Sequence, residues 1–272
     1  MRAVALHPDV LVATSALLHL NCVIVRGSAA QQDTAAGDQE RTEETFVIDS
    51  PVLPDELDAL SALVEQARFP VPSGLLATHG DWDHLLGRLA FPGLALGCAE
   101  STAERLKASP GRAQRELRAF DEELLIDRAR PLALGSVQAL PVPGRCAIGD
   151  RELELHPADG HTPDGMAVLL RWAGVLVAGD YLSPVELPTL NEGGKLEAYL
   201  ATIDRLRGLA ANVEHVVPGH GPILESARAL TVLEEDARYL RALAEHGSAA
   251  ELPPSRRGSA QRRLHEENVA AL

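Results

Sequence analysis

Aromatic side chains are scarce in this sequence, with two Trp, three Tyr and four Phe among 272 residues. Aromatics carry much of the buried apolar area in most cores, so this one has to be packed from Leu, Val and Ala. Cysteine is rarer still. Cys22, Cys98 and Cys146 lie far apart and form no Cys-x-x-Cys pair, which argues against a thiolate metal cluster and fits reduced thiols in a cytoplasmic protein. Positive charge is also in deficit, 25 basic against 39 acidic side chains for a net charge of −14, and this disfavours a nucleic-acid backbone or any other polyanion as partner. No apolar run reaches the roughly 20 residues that span a bilayer, and no membrane partner is expected. The nearest candidate, residues 10–25, follows Asp9 and is interrupted by His19 and Asn21, so it reads as two paired strands at 10–13 and 21–25 rather than as a signal peptide.

What is present suits one α/β domain over residues 1–272, since 46% hydrophobic composition at this length can bury a sizeable core. Residues 28–44 are polar and are expected to form a flexible loop. A strand at 46–50 ends in turn residues and precedes a helix at 54–66 that starts on Pro54. A further helix at 112–127 presents Leu117, Phe120, Leu124 and Leu125 as its expected buried stripe and would serve as a lid or wall. Short runs at 137–140 and 152–155 suit a sheet meander, while 195–209 and 226–245 are amphipathic helices. Residues 184–194 are expected to rim a pocket. The charged tail at 251–272 would cap the fold or contact a second copy in a homo-oligomer.

The densest chemistry lies in Thr78-His79-Gly80-Asp81-Trp82-Asp83-His84, which follows the apolar run 73–77 and precedes Leu85, Leu86 and Leu89 at helical spacing. Two imidazoles and two carboxylates on one strand-to-helix loop repel and compete for solvent unless they share a cation, and both donor types bind zinc and iron. Taken singly, Asp83 could cap a helix, and either His could be a structural histidine. Three more strand ends repeat the theme: His161 on the turn Asp159-Gly160-His161-Thr162-Pro163, Asp180 closing the apolar run 174–179, and His220 in Pro218-Gly219-His220-Gly221-Pro222.

This order, Asp49, the loop from His79 to His84, His161, Asp180 and His220, resembles the motif series of the metallo-β-lactamase fold over residues 21–222. One position departs: Asp81 stands where the His-x-His-x-Asp-His signature has its second His. The resemblance implies a four-layer αββα sandwich with a two-metal site along one edge. One metal would take His79, Asp81 and His161, the other Asp83, His84 and His220, with Asp180 bridging. The cofactors would be two divalent metal ions, zinc foremost, with iron or manganese as alternatives. The implied activity is hydrolysis of a small ester, thioester, lactone or lactam by a metal-bound hydroxide, with Asp83 and Asp180 as the catalytic carboxylates. Two alternatives remain: a mononuclear iron oxygenase like the persulfide dioxygenases of this fold, held by His79, His161 and Asp180, and a metal-free binding module.

Charge bears on the departure. Three carboxylates against two divalent ions leave about +1, or about zero with a bridging hydroxide, so a slightly weaker Lewis acid is expected. Tyr181 could donate to an oxyanion but is more ordinary as an amphipathic strand-end residue. His156 and His215 each stand five residues before a ligand loop, where packing is the plainer role, and His7, His19, His246 and His265 fall outside the motifs.

Overall fold

Apolar side chains on opposite faces of the strands set the layers. The computed structural model describes residues 1–27, 43–190 and 193–272, so the expected loop at 28–44 lies outside the described residues except at its end, where Glu44 already belongs to a strand. The chain opens with β1 (Arg2–His7), β2 (Val10–Thr14) and β3 (Asn21–Gly27), an antiparallel meander joined by β4 (Glu44–Ile48). There follow α1 (Pro54–Gln66), β5 (Gly74–Leu76), a 3-10 turn at Trp82–Leu85, α2 (Gly87–Ala90), β6 (Leu96–Ala99), α3 (Glu100–Ala108), α4 (Arg112–Leu124) and β7 (Val137–Leu140). Strands β4 to β7 are parallel, and parallel neighbours need long crossovers, which these helices supply. The result is a seven-stranded sheet in sequence order.

A second, six-stranded sheet holds β8 (Gly144–Ile148), β9 (Arg151–Pro157), β10 (Met166–Leu170), β11 (Val175–Gly179), β12 (His215–Pro218) and β13 (Leu224–Glu225). Helix α5 (Leu196–Ala210) makes the crossover between the parallel pair β11 and β12, and α6 (Ser226–His246) and α7 (Ser259–Ala270) complete the chain.

Side chains on alternate faces separate three apolar layers. Val10, Val12, Val23, Val25 and Ile48 meet Leu153, Leu155, Met166, Val168 and Val177 between the sheets. Cys22, Ile24 and Val47 face the other way, against Leu57, Leu60 and Val64 of α1 and Leu117 of α4. On the far side, Ala167, Leu169 and Leu176 pack on Ile203 and Leu206 of α5 and Leu233 and Leu240 of α6. This is the αββα sandwich.

The α4 stripe is shorter than expected. Leu117 is buried and Phe120 stacks on Trp82, with ring centroids 4.6 Å apart, but Leu124 is exposed and Leu125 is 91% exposed. The helix ends at Leu124, and Leu125 takes a left-handed conformation (φ 55°) that turns the chain away from the core.

The carboxy-terminal segment braces residues 183–190, which overlap the stretch 184–194 expected to rim a pocket. Arg256, 1% exposed, donates through one guanidinium nitrogen to the carbonyls of Ser183 (3.1 Å) and Glu186 (2.7 Å) and pairs with Asp236 at 2.6 Å. Asn268 of α7 is equally buried, accepting from the Leu190 amide at 2.8 Å and donating to the Pro188 carbonyl at 2.7 Å. Asn268→Ala leaves both backbone groups without their partner, so it is expected to cost about 1–3 kcal/mol in denaturant unfolding. An unchanged midpoint would show that the rim does not depend on this brace.

Candidate metal centre

Each expected donor sits just past the carboxyl end of a strand, where the backbone turns and side chains can point along the sheet edge. His79, Asp81, Asp83 and His84 follow β5, His161 follows β9, Asp180 follows β11 and His220 follows β12. Glycine permits the convergence at two of these turns. A Cβ on Gly219 would overlap Asp180 Oδ1, and one on Gly160, whose φ is +123°, would overlap the backbone of Tyr199.

The structure brings all seven side chains together, with the two oxygens of Asp180 among the four imidazoles. Oδ2 lies 3.6 Å from His79 Nε2 and 3.4 Å from His161 Nε2, while Oδ1 lies 3.1 Å from His84 Nε2 and 3.4 Å from His220 Nε2. Asp81 Oδ2 stands 3.6 Å from His79 Nε2 and 3.7 Å from His161 Nε2. Asp83 Oδ2 stands 3.4 Å from His220 Nε2 and 3.9 Å from His84 Nε2. Two triads, His79-Asp81-His161 and Asp83-His84-His220, thus each have donor atoms within 4.8 Å of one another.

The imidazoles are oriented from behind. His220 Nδ1 donates to the Leu18 carbonyl (2.9 Å), His161 Nδ1 to the Thr189 carbonyl (2.9 Å), and His84 Nδ1 meets Asp49 Oδ2 at 3.0 Å. His79 Nδ1 meets the Thr78 hydroxyl at 3.2 Å. Because carbonyl and carboxylate oxygens can only accept, they place the proton of a neutral ring on Nδ1 and leave the Nε2 lone pair facing the centre, the tautomer a metal ligand needs.

The electrostatics call for positive charge. Burial opposes ionisation of Asp81 and Asp180, yet the surrounding imidazoles hold both well below the usual carboxylate range. Burial equally opposes protonation of the rings, yet Asp180 and its neighbours raise His84 and His220 well above the ordinary imidazole value and push His161 up to about 10. His79 Nε2, His84 Nε2 and Asp180 Oδ1 are buried and face one another and the other side chains of the cluster. Buried polar atoms gathered in this way cost free energy unless something else engages them, and the donor set of imidazole nitrogens and carboxylate oxygens fits divalent metal ions.

The sequence singled out these seven side chains but not the residues that support them. Asn21, read only as a break in an apolar run, is buried and donates to the carbonyls of Pro218 and Gly221 at 2.8 Å each, pinning the His220 turn from both sides. Glu56 of α1 accepts from the Ser15 hydroxyl (2.5 Å) and the Ala16 amide (2.8 Å), and so anchors the loop that carries the Leu18 carbonyl. Arg105 of α3 binds Asp81 Oδ1 and Asp164 Oδ1, both at 2.8 Å, and Asp164 Oδ2 accepts from the Gly80 amide at 2.9 Å. Tyr181 is turned away from the centre: its hydroxyl accepts from the His161 amide at 3.0 Å and donates to the Ala158 carbonyl at 3.3 Å, holding the His161 turn. His156 pairs with Glu154 at 3.5 Å.

The family model of the metallo-beta-lactamase superfamily matches residues 39–220. The fold is similar to a sec-alkylsulfatase from Pseudomonas sp., at 15% identity and a TM-score of 0.71, with 99% of this chain covered but only 49% of that one. It is also similar to a metallo-beta-lactamase family protein from Thermus thermophilus, at 19% identity and a TM-score of 0.64, covering 98% of this chain and 95% of that one. A third similar structure, solved in a di-iron-bound form, shares 22% identity at a TM-score of 0.55 over 80% of this chain and 95% of that one. A search of curated proteins finds no match. With the match covering well over half its length, the chain belongs to the metallo-beta-lactamase superfamily.

Proposed function

We propose that the protein is a two-ion metallo-hydrolase acting on a small ester, thioester, lactone or lactam. The observation that carries this reading is the division of Asp180, one oxygen toward His79 and His161 and the other toward His84 and His220. One ion would be held by His79, Asp81 and His161, the other by Asp83, His84 and His220, and Asp180 would join them. Zinc suits this donor set, and iron is supported as an alternative by the di-iron form of a protein with the same fold.

When bound, such ions supply a Lewis acid for the substrate carbonyl and lower the pKa of water. The remaining work falls to the chain. Asp83, whose Oδ2 faces the centre beside His220, orients the attacking water and accepts its hydrogen bond. Asp180 fixes the separation of the two halves of the site. The rim at 183–190, tied to the carboxy-terminal segment by Arg256 and Asn268, bounds the substrate and limits water. A mononuclear oxygenase built on His79, His161 and Asp180 would leave Asp83, His84 and His220 assembled and oriented for nothing, and the burial of the His79 and His84 Nε2 atoms against the carboxylates of the same cluster weighs against a metal-free binding module.

A panel of p-nitrophenyl esters, acyl thioesters, lactones and β-lactams tests the reading, and turnover of at least one is expected to disappear on chelation and return with added zinc, iron or manganese. Hydrolysis that survives complete removal of metal would contradict it. For the best substrate, Asp180→Asn is expected to cut turnover at least about 100-fold while far-ultraviolet circular dichroism stays unchanged. Near-normal turnover in that variant would rule out a bridging role for Asp180.

A further inference from the structure

Asp81 is the place where this chain departs from its family signature, and its surroundings differ from those of the other donors. The four imidazoles are held by backbone carbonyls, Asp49 or a hydroxyl, whereas Asp81 is held by a cation: Arg105 takes Oδ1 at 2.8 Å and leaves Oδ2 directed between His79 and His161. Arg105 is itself fixed, because its other terminal nitrogen binds Asp164 Oδ1 at 2.8 Å. Gly80 makes room for this arrangement, since a Cβ there would stand 3.2 Å from Asp164 Oδ2 and 3.3 Å from the Arg105 guanidinium.

A carboxylate in place of imidazole brings two changes that a metal site must absorb. It offers two oxygens where imidazole offers one nitrogen, so it can rotate or chelate, and it adds a negative charge. The guanidinium addresses both. It engages one oxygen, which leaves a single-oxygen donor on the side where an imidazole would present Nε2, and it draws charge from the carboxylate through a charge-assisted hydrogen bond. Asp164 claims the other side of the guanidinium, so the charge offset is partial. The reduced Lewis acidity expected from ligand charge alone counted Asp81 without Arg105.

Resting on the two-ion reading above, we infer that Arg105 is a positioning residue that makes Asp81 act as a one-oxygen, partly neutralised stand-in for the family's imidazole, so that positions 81 and 105 work as a unit. A purely structural role for Arg105, holding the Gly80 turn through Asp164, involves the same residues but does not depend on what occupies position 81.

The test is a double-mutant comparison on the full chain, with Zn2+ and Mn2+ affinities measured by competition against a chromophoric chelator and thermal melting of the metal-free proteins recorded alongside. Arg105→Gln is expected to weaken one of the two equivalents at least about 10-fold and spare the other. In the Asp81→His background, the same Arg105→Gln substitution is expected to weaken neither equivalent, because the imidazole needs no guanidinium and is relieved of a nearby cation. Arg105→Lys, which keeps the charge but cannot span both carboxylates, is expected to lie between wild type and Arg105→Gln, again only when Asp81 is present. If Arg105→Gln does not fold, the Arg105→Lys pair carries the comparison. Equal weakening in both backgrounds, or no weakening in either, overturns the inference while leaving the two-ion reading intact. Failure of the wild-type protein to bind either ion overturns the two-ion reading, and this inference with it.

Discussion

Four imidazoles and three carboxylates packed largely out of water need positive charge among them, and the rest of the molecule is arranged around that constraint. Asp180 lies at its centre, with each oxygen facing two Nε2 atoms. In the absence of cations the neighbouring carboxylates draw protons onto the rings, which is why His84, His161 and His220 rise above their ordinary values although burial opposes it. Metal ions meet the same demand with the Nε2 lone pairs free to bind them.

The fold answers the constraint by bringing strand ends from two sheets to one edge. One sheet supplies the loop after β5, the other the turns after β9, β11 and β12. Between the sheets lies a layer of valine, leucine, isoleucine and methionine with hardly an aromatic residue, so the platform is rigid through interdigitation of branched aliphatic side chains. Precision at the edge comes from polar residues in neighbouring elements: Asn21 on the His220 turn, Asp49 on His84 and Thr78, Tyr181 on the His161 turn and Arg105 on Asp81.

This division explains what could be read from the sequence. His79, Asp81, Asp83, His84, His161, Asp180 and His220 were legible because each lies on a short turn after an apolar run, a local pattern. Helix α1 was legible from Pro54 at its start. The supports were not, because their meaning depends on partners remote along the chain: Asn21 and Gly221 are 200 residues apart, and Arg105 and Asp164 are 59 apart. A lone Asn in a strand or a lone Arg on a helix carries no local signature of what it will meet. Leu125 failed for a different reason, since helical spacing carried the stripe one residue past the end of the helix. Strands β1 and β8 went unseen because only one face of each is covered, so neither shows a strong apolar run.

The central claim is that this cluster is a two-ion centre, and elemental analysis of the protein purified without added metal tests it most directly. The account predicts close to two equivalents of zinc, iron or manganese per chain. Protein that carries no tightly bound metal, and whose melting temperature does not rise when any of the three is added, would contradict it.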